Sequence, residues 1–205
     1  MKRVFSALFT VAVLALFMAG CSTVRLVDSD VTAFSRWSAA PPAPGTPYRF
    51  ERLPSQQTLA AQQDQVEALA RAALAKVGLD LNPTVARYSV QVVVSTLILE
   101  RGPYGGAGYD GFRYPMPGFF LGGGSRGASL GMSFPLRFPE PYFKRELSML
   151  MRELNSGQVV FETRAVHDGV WSDTLAVLPA MLDAALQGFP QPPPGTRRIN
   201  VEIPR

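Results

Sequence analysis

The stretch from Arg87 to Leu99 limits the fold more than any other part of this 205-residue chain. Tyr88, Val90, Val92, Val94 and Ile98 share one face of an extended strand, while Arg87, Ser89, Gln91 and Ser95 lie mostly on the other. Side chains alternate along a strand, so the pattern belongs to a strand with one buried face and one wet face. Strands of a doubly wound parallel sheet are covered on both faces and read as continuous apolar runs. The alternation therefore predicts an antiparallel sheet with this segment as its central strand.

The remaining segments are consistent with that layer. Val24 to Trp37 reads as an edge strand, bent or broken at Asp28-Ser29-Asp30. Pro41, Pro42, Pro44, Gly45 and Pro47 form a stiff connector. Tyr48 to Leu53 alternates again, a half-buried strand. Ser55 is placed to cap a helix whose apolar stripe is Val66, Leu69, Ala70, Ala73, Leu74 and Val77, with Gly78 just past its end. Residues 102–131 hold 11 glycines in 30 positions, interleaved with Tyr104, Tyr109, Phe112, Tyr114, Phe119 and Phe120. Glycine at that density loses much backbone entropy on ordering, which predicts a long flexible loop without regular structure. Leu130 to Phe138 resumes a strand. Asn155-Ser156-Gly157 is turn chemistry between Phe143–Leu154 and Gln158–His167, a hairpin. Ser172 or Asp173 opens a last helix, in which Pro179 marks either a kink or the true first turn. Arg198 to Ile203 alternates as a closing strand. The expected fold class is α+β: a mostly antiparallel sheet with two helices packed on one face.

At the other end of the sequence, Lys2 and Arg3 precede Val4 to Phe17, which carry no charge. This uncharged, mainly apolar run of 14 residues suits a signal peptide and falls short of the roughly 18 to 20 that span a bilayer. Met18-Ala19-Gly20-Cys21 then resembles the lipobox of bacterial lipoproteins. The resemblance implies cleavage between Gly20 and Cys21, with diacylglyceryl and palmitate-type acyl chains on Cys21. Two or more chains hold firmly where one anchors only marginally. Residues 1–20 are then a cleaved signal peptide, and 21–205 one periplasmic domain of 185 residues, long enough for a sizeable core. Ser22 stands where lipoproteins retained at the inner membrane tend to carry aspartate, which favours the outer membrane over the inner. Losing Lys2 and Arg3 takes the net charge from +4 to +2, too little to argue for nucleic acid. With the one cysteine acylated, no disulfide forms in an oxidising compartment, and packing alone must supply stability.

The catalytic inventory is thin. His167 is the only histidine, which removes multi-histidine metal sites, and a lone histidine at a strand end reads as structural or solvated. The Gly122-Gly123-Gly124-Ser125-Arg126-Gly127 run has no phosphate-loop lysine. Paired carboxylates stay open, because their separation in space is not written in the sequence. No catalytic residue, metal or cofactor is assigned, apart from covalent lipid on Cys21.

Phe34-Ser-Arg-Trp37, Pro47-Tyr-Arg-Phe-Glu-Arg-Leu53, the alanine-rich helix, the strand at Tyr88–Ile98, the glycine–aromatic loop, Leu154-Asn-Ser-Gly-Gln-Val-Val-Phe161 and Gly188-Phe-Pro190 come in a familiar order. In these features the chain resembles a family of bacterial lipoproteins catalogued as domain of unknown function 4136. The resemblance implies an α+β domain with helices on one face of a mostly antiparallel sheet, and brings no catalytic residues. The expected function is a membrane-anchored, non-enzymatic binding or accessory module. Its partners are the membrane through the lipid, and an envelope protein, glycan or lipid through the aromatic loop. A small-molecule or lipid carrier, or an envelope hydrolase with a carboxylate site, is the alternative.

Overall fold

In the computed structural model, the residues described are 24–38, 40–100, 118–124, 127–133 and 141–204. The strand that anchored the sequence reading is the frame of the molecule. It runs as β4 (Tyr88–Glu100) and pairs over its whole length with β7 (Pro141–Glu153), antiparallel, from Tyr88 opposite Glu153 to Glu100 opposite Pro141. β7 turns through Gly157, whose φ of +69° needs a residue without a Cβ, into β8 (Val159–Gly169). The expected hairpin is therefore present. β8 pairs with β1 (Val24–Ser35), and β1 with the closing strand β9 (Thr196–Pro204). Asp28-Ser29-Asp30 does not break β1: Ser29 is buried while both aspartates keep to the other face, which is ordinary alternation. Nor is β1 an edge, because it lies between β8 and β9.

The sheet is not mostly antiparallel with two helices. It is a seven-stranded mixed sheet in the order β3-β2-β4-β7-β8-β1-β9, and three helices accompany it. The parallel part comes from β2 (Thr46–Phe50), which runs parallel both to β3 (Leu79–Leu81) and to β4. The cause is the connection. Helices α1 (Pro54–Thr58) and α2 (Ala60–Lys76) carry the chain back to the end where β2 began, so the strand that follows must run the same way. The third helix arises where the expected one breaks at Leu59, whose φ/ψ of −111°/40° is not helical. Helix α3 (Thr174–Ala185) is capped by Asp173, whose Oδ1 accepts from the Ala176 N–H at 3.1 Å, and holds Pro179 inside it.

Helices α2 and α3 cover one face, and the core lies between. Tyr88, Val90 and Val92 of β4, Leu147, Met149 and Met151 of β7, and Ala165 of β8 meet Ala70, Ala73 and Leu74 of α2 and Val177, Leu178, Met181 and Leu182 of α3. Gly78 ends α2 with φ +87°, a positive φ that suits glycine at the place just past the helix where the sequence reading put it. The second face carries Arg164 paired to Glu146 at 2.6 Å and Arg198 paired to Asp30 at 3.0 Å.

Part of the glycine–aromatic stretch is regular. β5 (Gly118–Gly124) and β6 (Gly127–Ser133) form an antiparallel hairpin in a sheet of its own, where the sequence reading expected loop as far as Gly131, with a strand only from Leu130. Extended backbone tolerates glycine when a partner strand accepts its hydrogen bonds, and residue-by-residue entropy does not register that pairing. The tail of the strand expected at Leu130–Phe138 lies outside the described residues.

Candidate functional site

The pairings gather five strand termini at one end of the sheet. Val24 stands opposite Pro204, Glu100 opposite Pro141, and Phe143 opposite Gly169. The start of β1, the ends of β4, β8 and β9, and the start of β7 thus form one rim. The chain enters the fold there, and the 40 residues between Glu100 and Pro141, hairpin included, leave and return there.

Beneath the rim is a buried polar wedge. Arg145 and His167 face each other across β7 and β8, and they are 0 % and 2 % exposed. The β1–β8 ladder runs from Ser35–Phe161 to Asp30–Val166. Past it, the His167 ring takes over: Nδ1 donates to the Asp28 carbonyl at 2.6 Å, so a side chain bridges the two strands. Arg145 donates through Nε to Thr174 Oγ1 at 2.9 Å and through Nη2 to the Trp171 carbonyl, and its guanidinium lies 5.3 Å from the Phe143 ring centroid. It thereby pins the turn that leads into α3. Burial pulls its pKa below the usual arginine value, and the charge of Asp173 opposes that pull. Arg25 stacks over Trp171 at 4.4 Å, and Tyr142 donates to Asp168 at 2.7 Å. Arg145 Nη1, His167 Nε2 and Ser29 Oγ are buried without a hydrogen-bond partner. The Ser29 hydroxyl and His167 Nε2 are therefore not hydrogen-bonded to each other. The wedge fixes the shape of the rim. Above it, Val24, Leu26, Leu97, Ile98, Leu99 and Val170 are exposed.

A second feature sits where β2 stops short along β4. Among the described residues no strand lies beside the β4 edge past Phe50, and the Val92 carbonyl instead accepts from Gln56 Nε2 at 2.7 Å and Gln63 Nε2 at 3.3 Å. The notch beside this pair, about 150 Å³, is lined by Leu59, Val66, Val93 and Val94 among others. Binding pockets for small ligands run to roughly 300–1,000 Å³.

At the far end of the sheet, Glu153 Oε2 accepts from Ser38 at 2.6 Å and Ser156 at 2.8 Å, and Arg87 lies 3.5 Å from Oε1. Those hydroxyls, chiefly Ser38, hold the carboxyl below its ordinary range. Among the described residues this is the one buried carboxylate, so no buried pair converges there.

Gly20, Cys21, Tyr104, Tyr109, Phe112 and Tyr114 lie outside the described residues. Phe119 and Phe120 fall in β5, opposite Met132 and Gly131. The sequence reading missed the wedge and the glutamine pair. Arg145 sits inside an apolar alternation, and that charge on a core face was the available signal.

A family profile described as "Domain of unknown function (DUF4136)" matches residues 27–191. The chain belongs to the DUF4136 family. This match reaches from β1 to the turn before β9 and so takes in the wedge. No curated protein matches this DUF4136 chain. Among solved structures, it is similar to a PDZ domain protein from Parabacteroides distasonis, at 9 % identity and a TM-score of 0.49, over 92 % of this chain and 41 % of that one. It is also similar to the PelC dodecamer from Paraburkholderia phytofirmans, at 14 % identity and a TM-score of 0.41, over 77 % of this chain and 94 % of that one. The DUF4136 chain thus spans under half the length of the first of these. At such identities and scores, neither likeness carries an inference about activity. Among the described residues, no helix is long and apolar enough to cross a membrane.

Proposed function

We propose that this DUF4136 chain is a lipid-anchored lipoprotein of the bacterial envelope, on the periplasmic face of the outer membrane, working as a non-enzymatic binding or accessory module. The observation that carries the reading is the spacing between Cys21 and the rim. β1 begins at Val24, three residues after the lipobox cysteine. Three extended residues reach about 10 Å, so acyl chains on Cys21 would hold the rim against the membrane. The polar second face of the sheet is then directed along or away from the bilayer, available to an envelope partner. The notch beside Gln63 is small for a lipid carrier, and the Glu153 carboxylate is already engaged, which weighs against a carboxylate hydrolase.

The test is metabolic labelling with a palmitate analogue followed by envelope fractionation, on the full chain and on Cys21→Ala. The expected result is label and outer-membrane recovery for the first and loss of both for the second. Label-free protein that still sediments with outer membranes would refute the reading.

A further inference from the structure

We propose that the open edge of β4 between the notch and the rim is a strand-addition site, which takes an extended, uncharged segment of an envelope partner protein and seats one of its aliphatic side chains in the notch beside Gln63. The inference rests on reading the chain as an anchored binding module and names how that module binds.

The first observation is a row of backbone groups. Alternate residues of a strand turn their N–H and C=O groups to opposite edges. On the side of β4 that meets β2, the Val90 carbonyl accepts from the Glu51 N–H at 3.0 Å, and the Val92 carbonyl accepts from the two glutamines. The same alternation turns Val94, Thr96 and Ile98 to that side, where among the described residues no strand meets them. Three donors and three acceptors, repeating about every 6.8 Å, are thus set out for another backbone. The β5–β6 hairpin is not that partner, because it forms a sheet of its own.

The second is that this edge lacks the devices that keep edges apart. Val92-Val93-Val94-Ser95-Thr96-Leu97-Ile98-Leu99 contains no charge, proline or glycine, and its pairing with β7 runs without a bulge. Natural edge strands are commonly blunted by charge, proline or a bulge. Leu97 and Ile98 point to opposite faces and are 58 % and 59 % exposed, so the segment is apolar and open on both.

The notch is the third. Val94 forms part of its wall, together with Leu59, Val66, Gln56 and Gln63. A strand laid along β4 carries a side chain beside Val94 on the helix-covered face, and that position opens into the notch. A volume of about 150 Å³ has room for one aliphatic side chain, and no charged residue lines it. In strand addition the main-chain bonds supply affinity, and such a pocket supplies the choice of side chain. The glutamine pair closes the edge at Val92 and so fixes where the added strand stops.

A second copy of this chain is the other candidate occupant, and the anchor argues against it. Two β4 edges related by a two-fold axis run antiparallel, which sends their rims to opposite ends. Val24 lies at the rim, and a tether of about 10 Å on each copy cannot bring both rims to one membrane. The occupant is therefore a segment of a different protein.

The experiment uses the full chain in mild detergent, so that its result does not depend on acylation of Cys21. The probe is a fluorescent peptide of alternating valine and threonine, about seven residues long, with lysine pairs at both ends. Anisotropy should show binding with a Kd of roughly 100 µM or tighter. Two further peptides carry N-methyl groups, one on every valine amide and the other on every threonine amide. Only one of these sets can face β4, so one peptide should lose roughly ten-fold or more in affinity and the other little. Thr96→Pro, which removes an outward donor from the edge, should weaken the parent peptide to the same degree. Leu59→Glu in the notch should weaken it roughly five-fold. Phe34→Glu, exposed at the far end of the sheet, should leave it unchanged. Circular dichroism checks folding, and Thr96→Lys replaces the proline variant if that one unfolds. The proposal is overturned by absent binding at about 1 mM, by two methylated peptides that behave alike, or by edge variants that bind as the parent does. It is overturned equally if the chain self-associates and Thr96→Pro or Thr96→Lys abolishes that association. Palmitate labelling of Cys21 is untouched by any of these results.

Discussion

Replacing Arg145 by methionine sets two large and opposed quantities against each other. The guanidinium is fully buried, and among the described residues no carboxylate lies within 4 Å of it to form an ion pair. Burying a charge in that way costs several kcal/mol even after relaxation, and methionine removes that cost. On the other side, the bonds to Thr174 and the Trp171 carbonyl disappear. Each has a charged donor, so the loss is about 1.5–3 kcal/mol apiece. The two sides nearly cancel, and Arg145→Met should change stability by no more than about 2 kcal/mol. Arg145→Ala loses the same bonds and also leaves a cavity, which adds about 2–4 kcal/mol. Urea unfolding followed by circular dichroism reads both values. The difference between the variants is the sharper quantity, because the charge and hydrogen-bond contributions drop out of it. A cost of about 5 kcal/mol or more for methionine would refute the near-cancellation and mean that the buried guanidinium is compensated in the folded state.

Two further substitutions probe other parts of the structure. Gly78→Ala forces a Cβ into the left-handed region at φ +87° and within 3.3 Å of the Pro44 Cα. It should lower stability by about 1–3 kcal/mol in the same urea assay, with the sheet signal intact. Glu153 titrates lower in the folded state than its ordinary value of 4.5, so it contributes stability above that pH, and the contribution fades as pH falls toward the folded value. Glu153→Gln should therefore flatten the acid side of a melting temperature–pH curve and leave the neutral region parallel to that of the parent. An unchanged acid limb would show that the Ser38 and Ser156 bonds do not matter in solution.

The buried faces were legible in the sequence, and strand directions were not. Period-two alternation reports which side of a strand faces the core, and it did so correctly at Tyr88, Val90 and Val92, while Ser89, read on the wet face, is buried. It fails at Ile98, because there β4 has outrun the helices that cover the sheet. Alternation says nothing of polarity, and the parallel β2 escaped for that reason. The clue lay elsewhere, in the helix between Pro54 and Lys76, since a strand–helix–strand run favours parallel neighbours. Asp28-Ser29-Asp30 was misread as a break because two charges drew attention from the small residue between them, the one that points inward. Gln63 shows a different blindness. A glutamine on a helix looks solvated until β2 ends early and leaves the Val92 carbonyl exposed to it. His167 read as structural or solvated from its isolation, and its position as the bridge between β8 and β1 needs the register of the two strands.

The two ends of the sheet are finished in different ways, and the difference makes sense of the buried arginine. The far end is closed by a ring cluster, Trp37 against Phe161, Phe189 and Tyr88 at 5.8–6.3 Å, with Glu153 satisfied beside it. Among the described residues the rim has no such seal: of their 13 exposed large apolar side chains, six are there. Apolar groups at an open end would normally be relieved by local rearrangement, since strand termini fray easily. Arg145 and His167 oppose that by bonding to backbone carbonyls of the turn and of β1, which holds Val170 and Leu26 outward. A buried charge of little net worth to stability is then the expected means of fixing position. On this argument Arg145→Met keeps the global stability of the domain but loosens the turn at Val170–Asp173. Hydrogen exchange at those amides should rise while the β4–β7 amides stay protected.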